Sequence, residues 1–355
     1  MRYIGNKTRL LGFISRILRF RGIRGGSAVD PFSGTASVAR RLKERGFRVV
    51  AADIMEYAYV FARAYVEVPR IPDTTDLARA LELRAATPAA ITRYLDRLPP
   101  EAGFIHDHYS PVGAAGRLHG RMYFTPENAG RIDAIRNRLE QWRRDGWIGE
   151  DLFHLLLAEL IEAADRVANT TGVYAAYVKS WQPNAVRPLH LREPRVREGN
   201  GCHAFRADAL EVVRNQPPFE LLYLDPPYNT RQYAGYYHVP EVIARGWFDV
   251  HPSTRGKTGL IEDNDKRSDW SRAGRCEKAF EVLVASAPCR HIVMSYNDEG
   301  IIPEATIRRV FREHGRAGTY RRHATGYRRY RSDSDGENRR YRGDSVREYL
   351  YCVEK

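Results

Sequence analysis

The segment Leu221-Leu222-Tyr223-Leu224-Asp225-Pro226-Pro227-Tyr228 runs an apolar stretch of strand length straight into a carboxylate, two prolines and an aromatic ring. Proline has no amide hydrogen to give a sheet ladder, and it pushes the residue before it towards extended backbone. Asp225 and Pro226 are therefore expected to be extended and rigid at the carboxyl end of a strand. In open α/β sheets that is where ligands bind. The group suits a planar base carrying an amine: the ring stacks on Tyr228, and the amine donates to Asp225 and to the Pro226 carbonyl. A plain strand–turn junction would explain the prolines, but it asks for neither the aspartate before them nor the tyrosine after.

Such an amine is a poor nucleophile because its lone pair is delocalised into the ring. Two acceptors that hold both amine hydrogens turn the lone pair out of plane. Hydrogen bonds to a charged acceptor strengthen as positive charge develops on the nitrogen. A base inside a duplex must first be flipped out and held by stacking, worth ~1–3 kcal/mol on a ring such as Tyr228.

A second constellation lies near the N-terminus. Asp30-Pro31-Phe32-Ser33-Gly34-Thr35 is a small-residue turn after the short apolar run Ala28-Val29. Such a turn lets backbone amides at a helix start approach a ligand closely. It is neither GxGxxG nor a phosphate loop. Asp53 ends the next apolar run, Arg48-Val49-Val50-Ala51-Ala52. An acid about 20 residues after such a turn is the usual partner of ribose hydroxyls; capping the following helix is the plainer reading.

The elements that must position these groups can be read from periodicity. Residues 8–20 have helical spacing (Leu10, Leu11, Ile14, Ile17, Leu18), and Gly25-Gly26 ends that helix. Strand, turn, helix (35–45) and strand (48–53) then form a βαβ unit. Between about 70 and 122 prolines interrupt weak helices. Thr125-Pro126 is a helix start with capping threonine and proline in first position, and helices run to about 168 with a break at Gly146–Gly149. Strand–helix alternation resumes with His203–Asp208, the Asp225 strand, His291–Asn297 and an edge-like last strand, Glu348–Val353. One α/β sheet is thus expected in two pieces, 1–66 and 200–355, with 67–199 inserted.

The motifs, taken together and in order, resemble the N6-adenine-specific DNA methyltransferases of the alpha, Dam-like group. The resemblance covers about 1–60 and 200–355. It implies a Rossmann-like methyltransferase sheet with helices on both faces, S-adenosylmethionine as methyl donor, and an inserted, mainly helical target-recognition region. Asp225-Pro226-Pro227-Tyr228 matches the tetrad that grips the target base. Tyr3-Ile4-Gly5-Asn6-Lys7 resembles the motif that contacts the methionine end of the cofactor, which implicates Tyr3, Asn6 and Lys7. Asp30 to Thr35 resembles the cofactor turn, Asp53 with Ile54 the ribose acid, and Asp208 with Ala209 the site of the cofactor adenine. Tyr237-His238 resembles a Tyr-His segment that follows the tetrad, and both residues are candidate DNA contacts.

The net charge of +13, largely arginine, fits a polyanionic partner, here double-stranded DNA, although an arginine-rich proteome would give the same balance. Lys179, Trp181, Gln182 and Arg187 in the insertion are candidate DNA contacts, with Tyr174 and Tyr177 nearby. So are Arg328 and Arg329 within the segment Arg321–Arg342, where tyrosines alternate with arginines. That segment also reads as a flexible loop between two final strands. The four cysteines, Cys202, Cys276, Cys289 and Cys352, form no CxxC pair, so no metal site or disulfide framework is expected, and a reducing cytoplasm fits. Pro288-Cys289 precedes the apolar run Ile292-Val293-Met294 and reads as structural rather than nucleophilic. No apolar run approaches ~18 residues, so no membrane span is expected. Three alternatives share these features: an RNA adenine methyltransferase, an N4-cytosine DNA methyltransferase, and a non-catalytic nucleic-acid-binding subunit. A cognate restriction endonuclease is a conceivable partner.

Overall fold

The computed structural model describes residues 1–199, 201–230, 232–262, 268–328 and 345–355, with the side chains of residues 116, 327, 328, 345 and 346 left out. The chain divides into two compact units, one of Gly5–Ala62, Arg197–Gln232 and Lys266–Lys355, the other of Met1–Ile4, Arg63–Val196 and Tyr233–Asp265. The sequence reading keeps 200–355 in one piece. The structure instead groups Tyr233–Asp265 with the inserted region, because these residues build their own hairpin and helix there rather than adding to the sheet.

The nine strands of the described residues are β1 Gly26–Asp30, β2 Phe47–Asp53, β3 His203–Arg206, β4 Phe219–Leu224, β5 Thr254–Arg255, β6 Leu260–Ile261, β7 Cys289–Asn297, β8 Arg321–Arg328 and β9 Ser345–Glu354. Seven of them form the sheet of the first unit, in the order β3-β2-β1-β4-β7-β9-β8. From β3 to β7 neighbours run parallel, while β9 is antiparallel to both β7 and β8. The chain turns outwards in opposite directions from β1 and β4, so the crevice at the switch point opens between their carboxyl ends. Ala28 pairs with Leu221 and Val29 with Leu222. That register brings Asp30, the last residue of β1, and Asp225, the first after β4, to the same edge.

Parallel strands covered on both faces read as continuous apolar runs. Leu221 to Leu224 fit that pattern, and all four are fully buried. On one face Val29, Leu222 and Ile292 pack with Val212, Phe280, Leu283 and Phe311 from helices Ala209–Arg214, Arg275–Ser286 and Glu304–His314. Helix Leu11–Phe20 buries Ile14, Ile17 and Leu18 at helical spacing and packs on helix Ser37–Glu44, which lies against β1 and β2. Cys289 opens β7 and is buried, as are the other three cysteines, all unpaired.

Two expectations need correction. The last strand is not at an edge: β9 lies between β7 and β8, and Val353, Cys352 and Tyr351 pair with Ile292, Val293 and Met294. The basic stretch expected as a loop starts as the edge strand β8, because its residues find ladder partners along β9 from Cys352 to Ser345. Within it Arg322 is held by both oxygens of Glu304, at 2.5 and 2.6 Å, rather than left for a phosphate. Arg328 ends β8; Arg329 and the remaining arginines of that stretch lie outside the described residues.

The second unit is mainly helical. Thr125 accepts from the Asn128 amide and starts helix Pro126–Arg144, which packs on helix Glu150–Val167. A short antiparallel hairpin, β5–β6, joins them. No helix of the described residues is long and apolar enough to cross a membrane. Thr125→Ala removes a side-chain cap, so it should lower unfolding stability by about 1 kcal/mol in urea titration without moving the sheet.

Candidate active site

Four carboxylates stand at the carboxyl ends of four adjacent parallel strands, in the order Asp208 after β3, Asp53 ending β2, Asp30 ending β1 and Asp225 after β4. Each is placed by strand register. Asp53 pairs with Arg206 across β2 and β3, two residues before Asp208.

The turn after β1 is fixed from Asp53. The Gly34 amide donates to Asp53 Oδ2 at 3.0 Å, and the Met55 amide donates to Oδ1 at 3.0 Å. The Ser33 amide donates to the Ala52 carbonyl at 2.9 Å. Gly34 takes φ +51°, a left-handed conformation that glycine adopts without steric cost. Asp53 thus ties the turn to the start of the segment that follows β2, and the residue is half-buried. Phe32 meets Trp270 edge to face, ring centroids 4.7 Å apart.

Asp30 Oδ1 and Ser33 Oγ are buried and have no hydrogen-bond partner among the described residues. Burial, then the charge of Asp225, pushes the Asp30 carboxyl well above the usual range. Asp208 is exposed, and its Oδ1 caps helix Ala209–Arg214 by accepting from Leu210 N at 2.9 Å. Ala209, by contrast, packs in the core, while Ile54 is half-buried beside Asp53. A ligand rich in donors and carrying positive charge matches this row of acceptors. S-adenosylmethionine, with its ammonium, sulfonium, ribose hydroxyls and adenine amine, is such a ligand, so the residues present fit it.

Lys7 is the centre of the tetrad's surroundings. Its side chain is 4% exposed. Its Nζ lies 3.1 Å from Asp225 Oδ1 and 3.8 Å from Glu348 Oε2, and 5.9 Å from the centre of the Tyr228 ring. Burial alone would drive the proton off this ammonium; the charges of Asp225 and Glu348 overcome that and hold its pKa above the ordinary value. Asp225 is pushed up to about 6, chiefly by burial, with Lys7 pulling it down and Glu348 adding to the rise. Burial also raises Glu348. The neighbouring residue Asn6 acts locally, since its Oδ1 accepts from the Thr8 amide at 2.8 Å as the first helical turn begins.

The tetrad's backbone is braced on one side only. Tyr296 donates its hydroxyl to the Pro227 carbonyl at 3.4 Å, and Ile301 its amide to the Tyr228 carbonyl at 3.2 Å. Among the described residues no donor reaches the Pro226 carbonyl. The acceptor that the sequence assigns to an incoming amine is the one left without a partner. Pro226 itself is buried, and Pro227 and Tyr228 are half-buried.

The structure brings Lys7, Asp30, Asp53 and the tetrad together in one unit and adds three residues that the sequence reading missed. Glu348, Trp270 and Tyr296 are these. Glu348 had a signal: it shares its strand parity with Leu350 and Cys352, which are buried, so its carboxylate points inwards from a strand.

Other candidates lie in the second unit. Tyr3 stacks on Tyr237, ring centroids 4.7 Å apart, and the Ile4 amide donates to the Tyr237 hydroxyl. Tyr237 and His238 are wholly buried. They were expected to contact DNA; their place is in packing, where a DNA surface does not reach. Tyr174 is buried as well. Gln182 spends its side-chain amide on the Thr170 carbonyl, at 3.2 Å. Tyr177 donates its hydroxyl to the His119 carbonyl. Lys179 and Arg187 are exposed and Trp181 is half-buried.

Known proteins match this chain along its length. The family model of the D12 class N6 adenine-specific DNA methyltransferases matches residues 3–309. The chain is 36% identical to the type II methyltransferase M.NlaIII of Neisseria lactamica, over 100% of this chain and 99% of that protein. It is 28% identical to the type II methyltransferase M.CviAII of Paramecium bursaria Chlorella virus 1, over 99% of this chain and 97% of that one. To the type II methyltransferase M.FokI of Planomicrobium okeanokoites it is 34% identical over its whole length, but it spans only 53% of that protein.

Removing the ammonium tests the electrostatics directly. In Lys7→Met the Asp225 carboxyl should titrate above its wild-type value of about 6, because the group that lowers it is gone while burial and Glu348 remain. Carbon-detected NMR of labelled aspartate across pH reads this shift.

Proposed function

The chain belongs to the D12 class N6 adenine-specific DNA methyltransferases, and we propose that the residues around Lys7 and Asp225 divide the reaction between them as follows. The family decides among the amines that the sequence left open: the acceptor is N6 of adenine in DNA, and the chain is an enzyme.

The methyl donor in this reading is S-adenosylmethionine, held along the row of acceptors. Asp53 takes the ribose, Asp208 the adenine end, and the Asp30–Thr35 turn the remainder, with Asp30 and Ser33 supplying the partnerless buried oxygens. Bound there, it supplies a methyl group on a sulfonium centre.

The observation that carries the proposal is the pair of acceptors at the tetrad. Lys7 occupies Asp225 Oδ1, so the other carboxylate oxygen is left for one amine hydrogen. The Pro226 carbonyl takes the other. Holding both hydrogens localises the nitrogen lone pair out of the ring plane. Positive charge that develops on the nitrogen lies beside an ionised carboxylate, which stabilises it. Tyr228 stacks on the flipped base, for ~1–3 kcal/mol. Above pH of about 6 Asp225 is ionised and offers a charged acceptor; below it the carboxyl is protonated and the charge assistance is lost. Lys7 holds the ionised form at neutral pH.

DNA would be engaged as a duplex from which the adenine is flipped. Lys179 and Arg187 are exposed cations that remain available to it. The type II names of the relatives support a role in protecting specific sites from an endonuclease of the same specificity.

Two variants test the division of labour. Asp225→Ala should lower methyl transfer to duplex DNA by on the order of 10²–10³ or more, while calorimetry finds cofactor binding retained. Asp53→Ala should weaken cofactor binding itself, since it removes the turn's anchor as well as the ribose acceptor. Full activity of the first variant, or unchanged cofactor affinity of the second, would take that residue out of its role.

A further inference from the structure

Arg121 is buried, 1% exposed, and no carboxylate lies within ion-pair distance of it among the described residues. An uncompensated buried guanidinium is costly unless its donors are satisfied. They are satisfied by carbonyls. Nη2 donates to Gly256 O at 2.8 Å, Nε to Lys257 O at 3.3 Å and Nη1 to His108 O at 3.0 Å.

The first two of these carbonyls belong to the tip of the β5–β6 hairpin. The rest of the tip is held in the same way. Tyr109 donates its hydroxyl to Gly259 O at 2.9 Å. The Thr258 carbonyl lies 3.1 Å from the Tyr123 hydroxyl and 3.1 Å from His238 Nε2. Gly256 and Gly259 take φ +66° and +72°, and a Cβ on Gly259 would meet Arg121 and Tyr109 at 3.0 Å. Every carbonyl from Gly256 to Gly259 is therefore gripped by a buried side chain. The buried His238 thereby has a structural role, supporting the tip from beneath.

Arg255 and Lys257 on this tip are exposed. A flexible basic loop would be enough to track phosphates, because that attraction is long-range and indifferent to register. Fixing one tight turn with this many buried groups specifies the position of its side chains. Reading a base edge needs that accuracy, and arginine and lysine pair with guanine O6 and N7. Beside the hairpin's base lies a hollow of about 430 Å³ lined by His108, His119, His251, Ser253 and Thr254, with no carboxylate.

We propose that the Arg255–Thr258 turn is a DNA-reading element, in which Arg255 or Lys257 contacts a base edge of the recognition site and Arg121 sets its position. The proposal rests on the DNA adenine methyltransferase reading and adds to it the part of the chain that selects sequence. Both side chains are exposed, so their replacement leaves the fold in place.

The test uses the full-length protein. Wild type, Arg255→Ala and Lys257→Ala each methylate the same mixed genomic DNA with S-adenosylmethionine, and modification-sensitive sequencing records every methylated adenine with its flanks. The expected result is that at least one variant still methylates the wild-type site but accepts other bases at one position, with discrimination there reduced about tenfold or more. An unchanged motif in both variants, whether at normal rate or with a uniform loss at all sites, would overturn the proposal; the uniform loss would mark a phosphate contact. If wild type methylated no adenine in duplex DNA, the failure would belong to the underlying reading and not to the turn.

Discussion

The site depends on one buried ammonium. Lys7 comes from the N-terminal segment, Asp225 from the end of β4, and Glu348 from β9. None of the three could be buried alone, because an isolated charge in a protein interior is either neutralised or expelled. Removing one partner of such a cluster leaves the others buried and unpaired, at a cost on the order of 3–5 kcal/mol. In the proposed mechanism the cluster ties catalysis to the arrangement of the sheet. β9 has to pair with β7, where Glu348 faces Asn297, for its carboxylate to reach Lys7. The order of the last strands serves the first motif of the chain.

How much of this was legible follows from what kind of signal each part leaves. β1, β2 and β4, the first helix and the helix between β1 and β2 follow local periodicity, and the structure places them within a residue or two of the expected bounds. The tetrad and the turn were legible because proline and glycine fix backbone by their own chemistry, and Asp53 because it ends a strand at a characteristic distance. The position of β9 was not legible: a strand's neighbours are set by long-range pairing, and Glu348–Val353 looks the same at an edge as in the interior. Glu348 was hidden for the same reason. Its inward parity is visible, but its partner Lys7 stands at the other end of the sequence.

The DNA-contacting residues were the least legible, because aromatic and basic residues serve packing as readily as recognition. Tyr237 and His238 drew attention as a motif, yet both are wholly buried. Arg322 drew attention as part of a basic run, yet Glu304 holds it. The reverse case is Arg121, which no pattern singled out. Only its burial, its lack of a carboxylate partner among the described residues and its hold on three carbonyls mark it as the support of an exposed basic turn.

In the proposed mechanism an ionised Asp225, held so by Lys7, accepts one hydrogen of the adenine amine. The pH dependence of kcat/KM for methyl transfer to duplex DNA tests it most directly, since that ratio reports ionisations of the free enzyme. An acid limb with a midpoint near pH 6, where Asp225 titrates, is expected, and it should disappear from the residual activity of Asp225→Asn. A profile that stays flat well below that midpoint, or a limb that survives the substitution, would contradict it.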